Sequence, residues 1–148
     1  MVVEQLDELY REVILDHFRQ PRNAGELPHA DIHAEGTNPL CGDEMTFSIT
    51  LDDGRIGQVK VLAKGCAISQ ATASMFTEQL RGKTLREVEA LVQAMKDLMQ
   101  GKPLRPDVDL GDLESLVGVR KFPVRIKCAA LSWNVIEQGL VDYKKRNQ

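Results

Sequence analysis

Long apolar runs are missing from this sequence of 148 residues. No stretch approaches the roughly 20 consecutive apolar residues that a membrane-spanning helix requires. The amino-terminal residues are acidic and amphipathic, whereas a secretory signal has a basic segment followed by an apolar one. We therefore expect a cytoplasmic protein that has no secretory leader and no membrane partner.

An excess of basic residues is also missing. The chain has 19 Lys and Arg against 22 Asp and Glu, which gives a formal net charge of −3. A nucleic-acid-binding surface normally brings clustered positive charge and a high pI, so no nucleic-acid partner is predicted. Internal repeats and low-complexity segments are absent, and the length suits a single domain over 1–148.

Cysteine is scarce, since the chain has only Cys41, Cys66 and Cys128. Three is an odd number and too few for the disulfide framework of a small secreted domain. No Cys-x-x-Cys pair is present, and the spacings are not those of zinc fingers. We interpret the three as reduced thiols used for metal binding or chemistry. The alternative is that Cys66 and Cys128 are small buried apolar side chains, which is common for free cysteine.

One short stretch, Asn38-Pro39-Leu40-Cys41-Gly42-Asp43, concentrates reactive groups in a turn. Its proline and glycine favour a tight, exposed turn around the cysteine. The thiol of Cys41 and the carboxylate of Asp43 can then face one cation. With Cys66 and Cys128 they would complete the four ligands of a tetrahedral zinc ion. The central hypothesis is that the fold brings the three cysteine segments to one point.

The pattern of apolar residues predicts two adjacent strands in the first half of the chain. Residues 44–51 alternate strictly between apolar and polar side chains, which is typical of a half-buried strand. The Asp-Gly pair within 52–55 predicts a hairpin, because glycine supplies the positive φ that such turns need. The partner strand is predicted over 56–64, and a short extended piece near 32–35 precedes both.

Helical periodicity accounts for most of the remaining chain. The predicted helices span 4–19, about 69–81 with Ser69 as cap, about 84–100 with a Thr84–Glu87 capping box, about 112–117, and about 123–144. The first would turn inward the apolar side chains of Leu6, Leu9, Val13, Ile14 and Phe18. Cys128 falls in the early turns of the last helix, where the helix dipole favours a thiolate. We predict an α+β fold, with helices packed on one face of a small antiparallel sheet.

The histidines, the tryptophan and the basic tail are interpreted as structural or solvent-exposed residues rather than as part of a site. His17 on the first helix is expected to be partly buried or at the surface. His29 and His33 lie in the loop and have no ligand spacing to any cysteine. Trp133 fits the core or the half-exposed surface of the last helix. The basic tail Lys144-Lys145-Arg146 suits the solvated end of that helix.

Together, the three cysteine segments resemble the U-type iron–sulfur cluster assembly proteins, the IscU/SufU family. The resemblance covers nearly the whole chain, and its motifs are Tyr10 to His17, Asn38 to Asp43, Gly65-Cys66 followed by Ser69 to Ser74, and Lys127-Cys128. It implies an α+β fold and a role in supplying sulfur for clusters. It also implies ligands that converge at one exposed end, namely Cys41, Asp43, Cys66 and Cys128.

Three departures from the IscU branch make the chain more similar to the SufU branch. Lys127 stands where IscU proteins carry a histidine. The stretch 122–126 stands where they carry a Leu-Pro-Pro-Val-Lys chaperone-recognition sequence. Roughly residues 101–120 look inserted. The SufU branch is associated with zinc and with accepting sulfur from a cysteine desulfurase.

The resemblance thus implies a zinc-bound acceptor that takes persulfide sulfur from a cysteine desulfurase through Cys41. It would serve downstream cluster assembly or acceptor proteins, and whether it counts as a zinc-dependent sulfurtransferase enzyme stays open. Transfer is easier if Cys41 leaves the metal when the partner docks, because its turn can move whereas Cys128 is fixed on a helix. Arg125 and Lys127 would stabilise thiolate or persulfide charge, or meet acidic groups of the desulfurase. The alternative is that they are solvated helix residues.

Two other functions stay open from the residues alone. Three thiolates and a carboxylate could instead hold iron or a nascent [2Fe–2S] cluster, which would make the protein a scaffold. A metal-free adaptor with three core cysteines is the other alternative. The alternatives differ in simple ways, because a cluster is coloured and contains iron and sulfide, a zinc site is colourless, and the adaptor holds no stoichiometric metal.

Overall fold

The computed structural model describes residues 3–147, with side chains from residue 9 onward. The elements are α1 (Val3–Arg19), β1 (Ile32–Asn38), β2 (Asp43–Asp52), β3 (Arg55–Lys64), α2 (Ala67–Leu80), α3 (Leu85–Met99), a 3₁₀ helix (Gly111–Lys121) and α4 (Pro123–Arg146). Residues 1, 2 and 148 of the predicted domain lie outside the described residues.

The three strands form one antiparallel sheet in the order β1-β2-β3. Alternate side chains of β2 enter the core, where Met45, Phe47 and Ile49 are buried. The turn between β2 and β3 has positive φ at Asp53 (53°) and Gly54 (80°). Positive φ at both central residues is the backbone of a two-residue type I′ turn. The predicted hairpin is therefore confirmed.

The helices bury the apolar face of this sheet. Helix α4 lies against β1 and β2, α2 lies against β3, and α1 and α3 pack onto these two helices. Trp133 of α4 is buried, and its ring centroid lies 6.3 Å from that of Phe76 on α2. The capping box predicted for α3 is present, since Thr84 and Glu87 bond each other's backbone amides. The predicted α+β fold is confirmed.

Helix α1 packs on α2 and on the 3₁₀ helix rather than on the sheet. Its predicted inward face is partly wrong, because Leu9 is 60% exposed and Phe18 is 38% exposed. The side chain of Leu6 lies outside the described residues. Among residues 9–19 of this helix, the fully buried side chain is instead that of His17, with 0% exposure. Helix α1 is therefore held to the domain by a polar contact as well as by apolar ones.

Two other elements differ in extent from the predictions. β1 is a full strand rather than a short extended piece, because its backbone pairs with β2 as far as Asn38 and Asp43. The short helix predicted at 112–117 is a longer 3₁₀ helix that ends one residue before Phe122, the cap of α4. Within residues 3–147, no helix combines the length and apolar character needed to cross a membrane.

Candidate metal centre

Cys41 lies in the turn that joins β1 to β2. Asn38 organises this turn: its carbonyl accepts a hydrogen bond from the amide of Cys41 at 3.1 Å, and its side-chain Nδ2 donates to Cys41 Sγ at 3.5 Å. Leu40, one position earlier, is 78% exposed. The predicted turn is present, but Cys41 itself is half-buried rather than exposed. Asn38 thus positions a thiol at the surface of the domain.

Asp43 begins β2, and its carboxylate points into the protein with 1% exposure. Its Oδ1 accepts a hydrogen bond from the backbone amide of Cys66 at 2.8 Å, and its Oδ2 lies 3.8 Å from Cys66 Sγ. Gly65 makes this approach feasible. A Cβ at that position would lie 2.0 Å from Asp43 Oδ1. Glycine is therefore needed before Cys66 for a steric reason, and sequence patterns do not reveal this requirement.

Cys66 is the N-cap of α2, which corrects the prediction that Ser69 caps this helix. The helix begins at Ala67, and Cys66 Sγ accepts a hydrogen bond from the amide of Ser69 at 3.4 Å. Sulfur is not among the usual capping atoms, so the sequence favoured the serine. The cap orients the thiol of Cys66 toward Asp43, at the junction of β3 and α2.

Cys128 lies in the second turn of α4 and is 4% exposed. Its Sγ is 2.9 Å from Cys41 Sγ. Burial raises the pKa of the Cys128 thiol far above its usual range, and the hydrogen bond with Cys41 adds to this. The expectation that the helix dipole favours a thiolate here is therefore wrong for the free thiol, because desolvation disfavours the charged form more strongly. A metal cation would have to displace that proton.

Donor atoms of Cys41, Asp43 and Cys128 all lie within 4.8 Å of one another. We call these three residues the donor group, and Cys66 stands beside it through its contact with Asp43. Two thiols and a carboxylate, with a third thiol adjacent, form a donor set that suits zinc or iron. The carboxylate of Asp43 is buried, and among the described residues it has no basic partner. A buried carboxylate without a counter-charge is costly, so a divalent cation fits this site.

Arg125 and Lys127 flank the donor group on the first turns of α4. Both side chains are exposed, and neither forms an ion pair with any residue in 3–147. They add positive charge to the surface near Cys128. Their arrangement is compatible with both predicted roles, namely meeting a negative partner and remaining solvated.

The three histidines do not join the donor group. His29 and His33 are exposed, and His33 lies on β1 opposite Ser48. His17 instead links three elements. Its Nδ1 is 2.8 Å from Ser74 Oγ on α2, and its Nε2 is 2.8 Å from Asp112 Oδ2 on the 3₁₀ helix.

The hydrogen-bond direction at Asp112 follows from its carboxylate, which can only accept. Nε2 of His17 therefore carries a proton and donates a hydrogen bond to Asp112 Oδ2. Ser74 Oγ accepts a hydrogen bond from the amide of Arg22 at 2.9 Å and also contacts Nδ1 of His17. No local sequence pattern indicates this contact, because Ser74 and Asp112 are 57 and 95 positions away from His17.

Replacing His17 by alanine should therefore destabilise the fold. We expect the free energy of unfolding to fall by roughly 3 kcal/mol, since the change leaves a cavity and removes one of the two partners of the buried Ser74 hydroxyl. The matched control is His29→Ala, an exposed position where a change within about 0.5 kcal/mol is expected. Urea denaturation of both variants measures the difference. Equal stability of the two would show that the His17 contact contributes nothing.

Comparison with known proteins gives one consistent result. The family model of the NifU-like N-terminal domain matches residues 9–148. The zinc-dependent sulfurtransferase SufU of Bacillus subtilis is 44% identical over 135 residues, which cover 91% of each chain. The iron–sulfur cluster assembly scaffold protein IscU of Streptococcus pyogenes is 34% identical, covering 95% of this chain and 87% of that protein.

A solved structure resembles the chain throughout the fold. It is a proposed iron–sulfur cluster assembly scaffold protein of the SUF system from Fervidobacterium islandicum, 33% identical, with a TM-score of 0.81. The match covers 87% of this chain and 94% of that one.

Proposed function

Because this chain belongs to the family of NifU-like N-terminal domains, we propose that it serves iron–sulfur cluster assembly as a zinc-bound sulfur acceptor. A cysteine desulfurase presents sulfur as a persulfide, and Cys41 takes the terminal sulfur atom. The observation that carries this proposal is the donor group within 4.8 Å, in a chain 44% identical to a protein named as a zinc-dependent sulfurtransferase. The proposed ligands are Cys41, Asp43, Cys66 and Cys128.

Bound zinc would keep the thiols deprotonated at neutral pH without redox chemistry of its own. The protein's own contribution is to arrange the donors. The capped end of α2 and the amide of Cys66 hold the Asp43 carboxylate in place. Asn38 donates a hydrogen bond to Cys41 Sγ, which orients that side chain in the turn.

The transfer itself is a thiol exchange. The thiolate of Cys41 attacks the terminal sulfur of the donor persulfide, and a new S–S bond forms. The S–S bond of the donor breaks, and the desulfurase cysteine leaves as a thiolate. The proton of the terminal sulfur stays with the persulfide now carried by Cys41, so no external oxidant or reductant is needed.

Cys41 suits the acceptor role better than Cys128. It also suits the role better than Cys66, which is half-buried as well but caps α2 with its Sγ. The thiol of Cys41 is half-buried in a surface turn, whereas Cys128 is buried within α4. The next residue, Gly42, has free space around it, since a Cβ there would meet nothing within 4 Å. The turn can therefore shift when a partner approaches. Arg125 and Lys127 would offset the negative charge of the thiolate or the new persulfide.

The test begins with protein purified without oxygen. We expect about one zinc per chain, no iron, no sulfide and no visible absorption. After incubation with the cysteine desulfurase and cysteine, mass spectrometry should find one added sulfur atom on the Cys41 peptide. The Cys41→Ala variant should lose that adduct and most of its stimulation of the desulfurase, whereas Leu40→Ala, a change beside it, should keep the adduct.

A [2Fe–2S] scaffold is the second candidate, and the relative named as a scaffold at 34% identity favours keeping it. The same purification decides between the two. Iron with sulfide and a coloured protein would make the scaffold the primary function. Protein without any bound metal, and with normal sulfur acceptance by Cys41→Ala, would refute both.

A further inference from the structure

A groove of about 670 Å³ lies between α1, the 3₁₀ helix and the beginnings of α2 and α4. Ala67 in its wall directly follows Cys66, and Arg125 lies three positions before Cys128. The groove is therefore continuous along the chain with two of the three cysteine segments, those of Cys66 and Cys128. Its apolar wall consists of Ile14, Leu15, Ile68, Val119 and Phe122.

Positive charge surrounds this apolar wall. Arg11, Lys121 and Arg125 line the groove, all three are exposed, and no acidic side chain is among its described lining residues. Lys121 and Arg125 form no ion pair within residues 3–147. The chain as a whole carries a net charge of −3, so this concentration of cations runs against its overall charge. Such a field attracts an acidic partner and steers its approach.

Large apolar side chains are exposed at the same end of the molecule. Phe122 in the groove is 54% exposed, Val124 is 66% exposed, and Leu40 beside Cys41 is 78% exposed. Exposed apolar side chains with a polar rim mark protein interaction sites. The aromatic ring of Phe122 also resembles the anchors that dominate the energy of many interfaces. The groove thus combines apolar contact with positive charge.

We propose that this basic groove receives an acidic segment of the cysteine desulfurase that carries an apolar anchor side chain. The inference rests on the proposed function, in which that enzyme is the sulfur donor. Docking in the groove holds the donor at the end of the protein where Cys41 lies. The groove supplies affinity and orientation, and the donor group supplies the acceptor.

The first test reverses a charge at the rim of the groove. Lys121→Glu should weaken binding of the desulfurase to the zinc-loaded protein about tenfold at low salt, and it should flatten the salt dependence of binding. The matched control is Lys102→Glu, an exposed loop position outside the groove, where affinity should stay within about twofold. Calorimetric titration at two salt concentrations measures both. Zinc content should be unchanged in either variant.

The second test fills the groove without changing charge. A Cβ on Gly118, which lines the groove, would meet nothing within 4 Å. Gly118→Leu should therefore fold normally and place its side chain in the open space, and binding should weaken about tenfold through steric exclusion. Gly118→Ala is the matched control and should bind within about threefold of the unmodified protein, because it adds only a methyl group.

The outcomes separate this inference from the proposed function. If the unmodified protein binds and stimulates the desulfurase while Lys121→Glu and Gly118→Leu bind equally well, the groove is not the docking site. Binding that is weakened as expected, with Cys41 taking up no sulfur, would support the groove and refute the function. A chain that does not bind the desulfurase overturns both. If Lys121→Glu changes only self-association in light scattering, the occupant is a second copy and the inference is wrong.

Discussion

The Gly65→Ala variant is expected to bind the proposed zinc ion far more weakly, although none of the proposed ligands is changed. Gly65 has a φ of +131°, and an added Cβ would lie 2.0 Å from Asp43 Oδ1 and 2.8 Å from Asp43 Cα. Neither β2 nor the start of α2 can yield without moving the Asp43 carboxylate or the thiol of Cys66. Zinc affinity should fall by roughly 100-fold, as for lost supporting contacts at other metal sites. The backbone strain should also cost about 1–3 kcal/mol of stability in the metal-free protein.

Gly42→Ala is the matched control for this prediction. Gly42 also has a positive φ, +69°, but a Cβ there would meet nothing within 4 Å. Its cost is the intrinsic one of the left-handed backbone, about 1–2 kcal/mol, and zinc should still bind. Competition titration with a coloured zinc chelator measures both affinities. Similar zinc affinity in the two variants would mean that the close approach of Gly65 to Asp43 does not support the site.

Asp43→Asn should change stability in opposite directions with and without zinc. Among the described residues, the hydrogen-bond partners of the buried Asp43 carboxylate are the neutral amide and the thiol of Cys66. Asparagine keeps an oxygen for that amide and removes the uncompensated charge, so in the metal-free protein we expect a gain of about 1 kcal/mol. In the zinc-loaded protein the lost anionic donor should weaken zinc binding roughly 100-fold, which costs about 2.7 kcal/mol. Because the gain of about 1 kcal/mol offsets part of this cost, the net stability should fall by about 2 kcal/mol.

The measurement is urea unfolding of the same variant with excess zinc and with a chelator. Glu44→Gln, the neighbouring and exposed acid on β2, is the control and should change neither curve by more than about 0.5 kcal/mol. A loss of stability in Asp43→Asn that is equal under both conditions would argue against Asp43 as a ligand. The sign reversal is informative because a residue needed only for folding would not produce it.

Much of the fold could be predicted because its signals are local. The alternation of β2 and the Asp53-Gly54 turn determine the hairpin over a few residues, and the Thr84–Glu87 pair marks the start of α3. β1 was underestimated because Gly36 and Asn38 near its end have little strand propensity. That part of the strand forms by pairing with β2, a contact that local patterns do not encode.

The candidate site was only partly accessible from the sequence. The turn residues around Cys41 pointed to an exposed thiol, and the structure brings Asp43 and Cys128 to it. Their role as ligands stays a prediction. The steric role of Gly65 and the burial of His17 depend on contacts between residues far apart in the chain. The capping role of Cys66 is local, but sulfur is too rare a capping atom for a sequence pattern to predict it.

The short distance between Cys41 and Cys128 has a consequence for the unfolded chain. The two residues are 87 positions apart, and the segment between them contains β2, β3, α2, α3 and the 3₁₀ helix. A covalent link across a loop of that length would remove chain entropy worth about 4.6 kcal/mol from the unfolded state. A metal ion that both thiolates retained during unfolding would impose a similar restriction. The metal centre would then act as a cross-link in the unfolded chain. Dissociation of Cys41 from the metal would release more than half of the polypeptide from that restraint.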